Sequence, residues 1–408
     1  MKHVIIGNGI AGISAAEAIR ELDTSSSITI IGDETFPPYS RPMISYVLEG
    51  SQSHKKLPIR SSDIYKELEI EPLLGQRATA LDVDTCQVIL ADSSKIPYDR
   101  LLIAAGADPR PVQAAGQELQ NIFYMRTQAH ATAQVEALPG AQKAVVLGGG
   151  LVGFKAAYGL LRRGLQVTML ITSGYPLSMQ VDPIAGRMIM AEMVRHGLTV
   201  EVGVSATAFV GKTTVEAVET DDGRTLPCDL VIIGKGVLPC RDFLPRERIK
   251  ADLGVLVDEH LQTSIKGIYA AGDVAELYDL ARDLRWVNAL WPEAVGQGRV
   301  AGYNMAGRQV VYPGSLSRNV MRVFELDVLT VGDVNPGDPA GYETVSCGGE
   351  DQGFYRRLVC KGNRLVGAVL INDIAQGGVL RALIENRVSL RLPAARLLQR
   401  NFNFGQLL

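Results

Sequence analysis

Gly7-Asn8-Gly9-Ile10-Ala11-Gly12 follows directly on the apolar run 3–6, and the pattern returns at Gly148-Gly149-Gly150-Leu151-Val152-Gly153 after the apolar run 144–147. Each reads as a buried strand entering a tight turn that opens a helix. The first glycine makes the turn, the second lets backbone approach a pyrophosphate, and the third lets helix and strand pack closely. The helix N-terminus then presents free N–H groups and a positive dipole end to phosphate. One such motif is weak. Two in one chain imply two dinucleotides, and hence electron transfer between two carriers.

The surrounding composition fits several domains. The chain has 408 residues, of which 47% are hydrophobic, and a net charge of −3. That length predicts two or three domains. The small charge argues against nucleic acid or a membrane surface as partner. The five cysteines, Cys86, Cys228, Cys240, Cys347 and Cys360, form no C-x-x-C pair. Their scatter fits reduced thiols in a cytoplasmic protein and offers no local ligand set for a metal. The N-terminal apolar stretch runs into nucleotide-binding glycines without a following A-x-A site, so it is not read as a signal peptide. No uncharged window long enough for a transmembrane helix is present.

The chain repeats itself. The first fingerprint is followed by short alternating segments over 78–90 and then by Pro97-Tyr98-Asp99-Arg100-Leu101-Leu102-Ile103-Ala104-Ala105-Gly106. The second is followed by 205–218 and then by Pro227-Cys228-Asp229-Leu230-Val231-Ile232-Ile233-Gly234. Each half reads strand, glycine turn, helix, β-meander, and a fully apolar strand of the kind buried in a parallel sheet. Asp99 and Asp229 match in position, and opening a turn before the strand accounts for each. The segment 107–139 is taken as the crossing between the halves. Gly272-Asp273 ends a later strand, a helix is expected over 293–305, and from about Tyr312 the character changes. There 355–361 and 364–371 form a hairpin turning at Gly362-Asn363, with a helix over 378–386 and Cys347 and Cys360 as buried thiols.

These residues resemble the FAD- and pyridine-nucleotide-dependent disulfide-oxidoreductase-like flavoproteins. The resemblance covers nearly all of 1–310 through both fingerprints, Tyr39-Ser40-Arg41-Pro42, the strand end at 104–106 and Gly272-Asp273. The C-terminal segments Tyr355-Arg356-Arg357-Leu358 and 365–370 resemble the branch of NADH:rubredoxin reductase and the nitrite-reductase flavin module. The resemblance implies an α/β fold with two Rossmann-like domains and a C-terminal α+β interface domain. FAD would occupy 1–110 with 241–311, NAD(P) would occupy 111–240, and 312–408 would form the interface domain.

By the same resemblance, Gly7, Gly9, Ile10, Ala11 and Gly12 would hold the FAD pyrophosphate. Glu34, with Asp33 as the second candidate, would bind the adenosine ribose. Arg41 and Pro42 would line the phosphate and flavin region, where an arginine in an apolar stretch needs an anion. Ala78, Ala105, Gly106 and Arg110 would also reach FAD, and Asp273 beside Gly272 would accept from the ribityl hydroxyls. Trp291 opens a helix aimed in the family at the flavin pyrimidine, although it serves equally as a core aromatic. Gly148, Gly150, Leu151, Val152 and Gly153, with Gly234 and Gly236, would hold the nicotinamide nucleotide.

Three departures from the family pattern carry as much weight. The position of the redox cysteine is taken by Pro42 and its neighbours, which disfavours thiol–disulfide and sulfenic acid chemistry. A glutamate usual after the second fingerprint is Lys155, and its customary lysine partner is Tyr46. The expectation is that Lys155 provides a cation at the flavin with Tyr46 hydrogen-bonded beside it; the alternative is a lysine facing solvent. Finally, the strand 165–171 ends in Ile171-Thr172-Ser173, with neither an acidic residue for a ribose nor an arginine for a 2′-phosphate. NAD(H) is expected over NADP(H), because a phosphate without a basic partner is the costlier misfit.

The expectation is thus an FAD-containing NAD(P)H oxidoreductase without a redox cysteine. It would exchange electrons with a rubredoxin- or ferredoxin-like carrier or an iron–sulfur partner subunit, with a homodimer as the candidate assembly. The alternatives are an oxidase that reduces oxygen directly and a flavin-bound redox-sensing or structural subunit.

Overall fold

Four consecutive residues, His3 and the apolar Val4, Ile5 and Ile6, are buried in the strand Lys2–Ile6. A strand buried on both faces needs neighbours on both sides. The computed structural model, which describes residues 1–407, supplies them in a five-stranded parallel sheet. Its order is Ile268–Ala270, Arg100–Ile103, Lys2–Ile6, Ser27–Gly32, Ile70–Leu74. The second half repeats the plan with Thr199–Val202, Gln166–Ile171, Lys143–Leu147, Leu230–Ile233 and Ile122–Tyr124. In both sheets the fingerprint strand sits centrally, with chain continuing to either side. That is the switch point where open parallel sheets bind ligands.

The matched aspartates play one structural part. Asp99 Oδ2 accepts from Lys2 N at 2.7 Å, and Asp229 Oδ2 accepts from both Gln142 N and Lys143 N at 2.8 Å. Each pins the entry to a fingerprint strand. Both meanders are antiparallel and three-stranded. The C-terminal section forms a five-stranded antiparallel sheet. Its hairpin Phe354–Lys361 with Arg364–Ile371 turns at Gly362-Asn363, and the helix Gly377–Glu385 follows.

Two compact units result. One comprises Met1–Pro42, Leu57–Asp108 and Leu238–Leu316; the other comprises Met43–Lys56, Pro109–Val237 and the chain from Ser317 onward. These divisions differ from the expected boundaries: the section expected as a separate domain over 312–408 falls, from Ser317, in the same unit as the nucleotide half. Residues 43–56 join the nucleotide half, because Arg163 donates to Leu48 O (2.8 Å) and Val47 O (3.2 Å) and caps the helix Ile44–Glu49. The expected crossing segment 107–139 is also more than a connector. It holds an edge strand of the second sheet, Ile122–Tyr124, and the helix Gln128–Glu136, whose first turn Thr127 caps.

In the first unit the helices Ile10–Leu22 and Trp291–Met305 touch through small residues. A Cβ on Gly298 would lie 2.2 Å from Ala11 O, and one on Gly302 would lie 2.4 Å from Ala15 O. The substitution Gly298→Ala improves helix propensity by about 1 kcal/mol. It also forces backbone apart in a packed core, and the clash wins. We expect a net loss of about 2 kcal/mol, read as a lower urea midpoint at unchanged slope.

Candidate functional site

The first fingerprint combines crowding with one opening. Gly7 has φ +121°, and a Cβ there would lie 2.1 Å from Ala104 O. A Cβ on Gly12 would lie 2.0 Å from Gly7 O. On Gly9 it would meet no atom within 4 Å. The glycines at either end therefore seal the turn against the strand end 104–106, while the middle one leaves a cradle. Gly9 is also the N-cap of the helix Ile10–Leu22, whose first turn, with Ile10 and Ala11, carries no acidic residue to compete with an anion.

Gly272-Asp273 reaches the same place from the far end of this unit. Gly272, at φ +81°, would set a Cβ 3.1 Å from the Ala11 Cβ and 3.6 Å from the Ala294 Cβ. It thus lies against the first turns of both helices. Its N–H donates to Gln297 Oε1 at 2.8 Å. Gln297 is a buried residue that fixes the turn, and motif reading did not single it out. Asp273 and Trp291 are half-buried. Glu293 is buried and accepts from the Tyr312 hydroxyl at 2.5 Å.

A small cleft runs from Gly9 to Glu34 and Arg41. Here the structure joins residues that the sequence suggested separately. Arg41 Nη2 lies 2.5 Å from Glu34 Oε1, and the Tyr39 hydroxyl donates to Glu34 Oε2 at 2.7 Å. Arg41 also lies over the Tyr39 ring, 5.2 Å from its centroid. Asn8, inside the fingerprint, donates to Phe36 O (3.1 Å) and accepts from the Tyr65 hydroxyl (3.0 Å), tying the cleft wall to the glycine turn. Pro42 lies in the short 3-10 turn Arg41–Met43, Ala78 is buried opposite Leu90 in a meander, and Ala105 and Gly106 follow the strand Arg100–Ile103. Arg110 is exposed and belongs to the second unit, where its N–H donates to Gly236 O at 2.9 Å.

The second fingerprint repeats this geometry. A Cβ on Gly148 would lie 2.6 Å from Gly234 O, and one on Gly153 would lie 1.9 Å from Gly148 O; one on Gly150 would meet nothing within 4 Å. Leu151 and Val152 open the helix Leu151–Arg162, whose first turn is again free of acidic residues. Gly234 makes a close approach of its own, its Cβ position lying 2.6 Å from Gly153 N. Ile171, 1% exposed, ends its strand with its side chain 2.8 Å from where a Gly149 Cβ would stand. The position expected to hold a ribose carboxylate is therefore apolar packing.

Lys155 forms no ion pair among the described residues. Its Nζ lies over the Tyr46 ring, 5.9 Å from the centroid, and burial lowers its pKa below the usual lysine range. The expected hydrogen bond with Tyr46 is corrected to a ring-face contact: Tyr46 presents its π-face to the ammonium.

None of the five cysteines forms a disulfide among the described residues. Burial pushes the Cys228 thiol up to about 12 and that of Cys360 up to about 11, leaving both protonated at neutral pH. Cys347, expected to be buried, is half-exposed. It lies in the strand Tyr342–Gly349 at the edge of the C-terminal sheet, where only one side is covered. No group of three His, Cys, Asp or Glu side chains among the described residues is arranged to hold a metal ion. No described helix is long and apolar enough to cross a membrane.

The open cradles, each sealed by crowded glycines and capped by an acid-free helix, fit the phosphates of two dinucleotides. Comparison with known proteins gives the lineage. Residues 1–298 match the family model described as pyridine nucleotide-disulphide oxidoreductase. The chain belongs to this family. Residues 318–388 match the rubredoxin NAD+ reductase C-terminal domain, the branch that the hairpin segments suggested.

Among the family's members, nitrite reductase [NAD(P)H] of Bacillus subtilis (strain 168) is 31% identical over 95% of this chain, covering 47% of its own length. The chain thus spans about half of that relative. The NADH-dependent phenylglyoxylate dehydrogenase subunit epsilon of Aromatoleum evansii is 31% identical, with 95% of this chain and 92% of that protein aligned. The structure of the covalent putidaredoxin reductase–putidaredoxin complex superposes with a TM-score of 0.87 at 27% identity, covering 95% of this chain and 94% of that one. Family membership implies FAD and a nicotinamide nucleotide as the two occupants.

Proposed function

We propose that this protein moves electrons between NAD(P)H and an external carrier, either a rubredoxin- or ferredoxin-like protein or an iron–sulfur partner subunit. The observation that carries the reading is the pair of open glycine cradles, Gly9 and Gly150, in a chain with no cysteine from Arg41 to Glu49. FAD, when bound, supplies the means to accept a hydride and to give up electrons one at a time. The chain's own residues bind, orient and tune. Gly7, Gly9 and Gly12 shape a turn that would receive the pyrophosphate, with the N–H groups of Ile10 and Ala11 in the first helical turn as its donors. Gln297 holds Gly272-Asp273 against that turn. The full-length likeness to an oxidoreductase subunit favours a partner subunit as readily as a free carrier. We assign NADH as the preferred nucleotide, because no lysine or arginine stands in 172–181 to neutralise a 2′-phosphate. The cytoplasm, suited to free thiols, is the proposed compartment, and a homodimer the proposed assembly.

Lys155 is the residue we assign to tuning the flavin. A positive charge in partly apolar surroundings favours the reduced, anionic state and raises the potential. Lys155→Met then lowers the midpoint potential by about 30 mV, the two-electron equivalent of about 1.4 kcal/mol. An unchanged potential removes Lys155 from the tuning of the flavin.

The reading as a whole is tested by anaerobic mixing. The yellow protein should be bleached by NADH faster than by NADPH, and carrier proteins should restore the colour faster than oxygen does. Rapid turnover with oxygen alone makes it an oxidase, and no bleaching by either nucleotide makes it a sensor or structural subunit.

A further inference from the structure

Between the strand Gln166–Ile171 and the helix Pro183–Arg195 lies the segment where a Rossmann unit meets the adenosine ribose. Positions 172–181 hold neither a carboxylate nor a cation. Their backbone is nonetheless held from two sides. Leu177 is buried at φ +57° and donates its N–H to Gly149 O, in the fingerprint itself, at 2.7 Å. A leucine in the left-handed region is strained and persists only where its surroundings hold it there.

The other side is held by the C-terminal section. Asn335 Nδ2 donates to Ser178 O (3.0 Å) and Val181 O (2.6 Å). The hydroxyl of Tyr355, a residue 1% exposed, donates to Asp182 Oδ2 at 2.9 Å. Burial and the nearby carboxylate raise the Tyr355 pKa well above the phenol range, so it remains a donor. Arg357 Nη1 lies 3.9 Å from Asp182 Oδ1 and donates to Asn335 Oδ1 at 3.2 Å. Asp182 in turn caps the next helix through Ile184 N at 3.2 Å. An unbroken line of bonds thus runs from the C-terminal sheet through Asp182, Val181 and Ser178 to a loop that ends on the phosphate turn.

We propose that Asn335, Tyr355 and Arg357 are positioning residues for the adenosine half of the pyridine nucleotide. Held by them, loop 172–182 takes over the work that a ribose-binding carboxylate does elsewhere. This rests on the assignment of the second cradle to that nucleotide. It makes the C-terminal section part of the nucleotide site, with recognition coming from loop shape rather than a charged clamp.

The test uses flavin-loaded protein carrying Tyr355→Phe, which keeps the ring and removes one donor, and separately Asn335→Ala. For both, KM for NADH and for NADPH should rise about tenfold while the limiting rate of flavin reduction stays within about twofold. Binding of ADP-ribose, followed by calorimetry, should weaken by the same factor. Reduced nicotinamide mononucleotide lacks the adenosine, and its KM should not move. Variants that bind ADP-ribose as the wild type does overturn the proposal. So do variants whose KM for the mononucleotide rises in parallel, since that marks a general loosening. A wild-type protein that binds neither ADP-ribose nor NADH overturns the assignment of the cradle, and this proposal with it.

Discussion

Gly9→Leu should yield a folded protein that is colourless. Gly9 sits at φ −86°, ψ −173°, ordinary extended backbone for any residue, and a Cβ there meets no atom within 4 Å. The leucine therefore costs the fold about 1 kcal/mol or less, the usual scale for a change at an uncapped helix start. Its side chain, however, projects into the space proposed for the pyrophosphate and covers the N–H groups of the first helical turn. Losing those contacts and adding a steric block should weaken FAD binding about 1000-fold, roughly 4 kcal/mol. Flavin absorbance after purification and reconstitution, set beside far-ultraviolet circular dichroism, checks both halves. A yellow variant with full flavin content would show that the cradle is not where FAD lies. Gly12 makes a poor choice for the same experiment, because its Cβ would lie 2.0 Å from Gly7 O and the variant would lose flavin by misfolding.

Gly150→Leu is the counterpart, and its phenotype should be the complement. Gly150 lies at φ −79°, ψ −177°, again with nothing within 4 Å of its Cβ position. This variant should purify yellow and be bleached fully by dithionite. Its reduction by NADH or NADPH should slow about 1000-fold at subsaturating nucleotide, because the phosphates lose their seat. Bleaching by NADH at the wild-type rate would remove the second cradle from the reaction. The pair forms a double dissociation: one substitution removes the colour, and the other removes only the response to nucleotide. General destabilisation cannot produce that pattern.

Much of the architecture was legible because it is locally encoded. A glycine at φ +121° or +105° after a buried strand is a demand of the backbone itself, so Gly7 and Gly148 announce their turns within six residues. The two apolar runs, the meanders and the hairpin at Gly362-Asn363 are likewise short-range patterns. The edge strand Ile122–Tyr124 was missed because three half-buried residues carry no alternation to detect. The helix after it carried a usable signal in Thr127, whose side chain caps His130 N.

The site divides along the same line. The sequence alone determined two glycine turns, the strands that lead into them, and the lack of a cysteine in the stretch around Pro42, since each depends on neighbours a few positions apart. Tertiary structure decided that Glu34 pairs with Arg41 and that Gln297 holds Gly272. It also decided that Tyr46 offers its ring to Lys155, and that Asn335 and Tyr355 grip a loop more than 150 positions away in the chain. The reason is the range of the forces. Backbone dihedrals and hydrophobic periodicity are written residue by residue. A polar side chain's partner is set by which distant segments the packed core brings within about 3 Å, and no local pattern carries that distance.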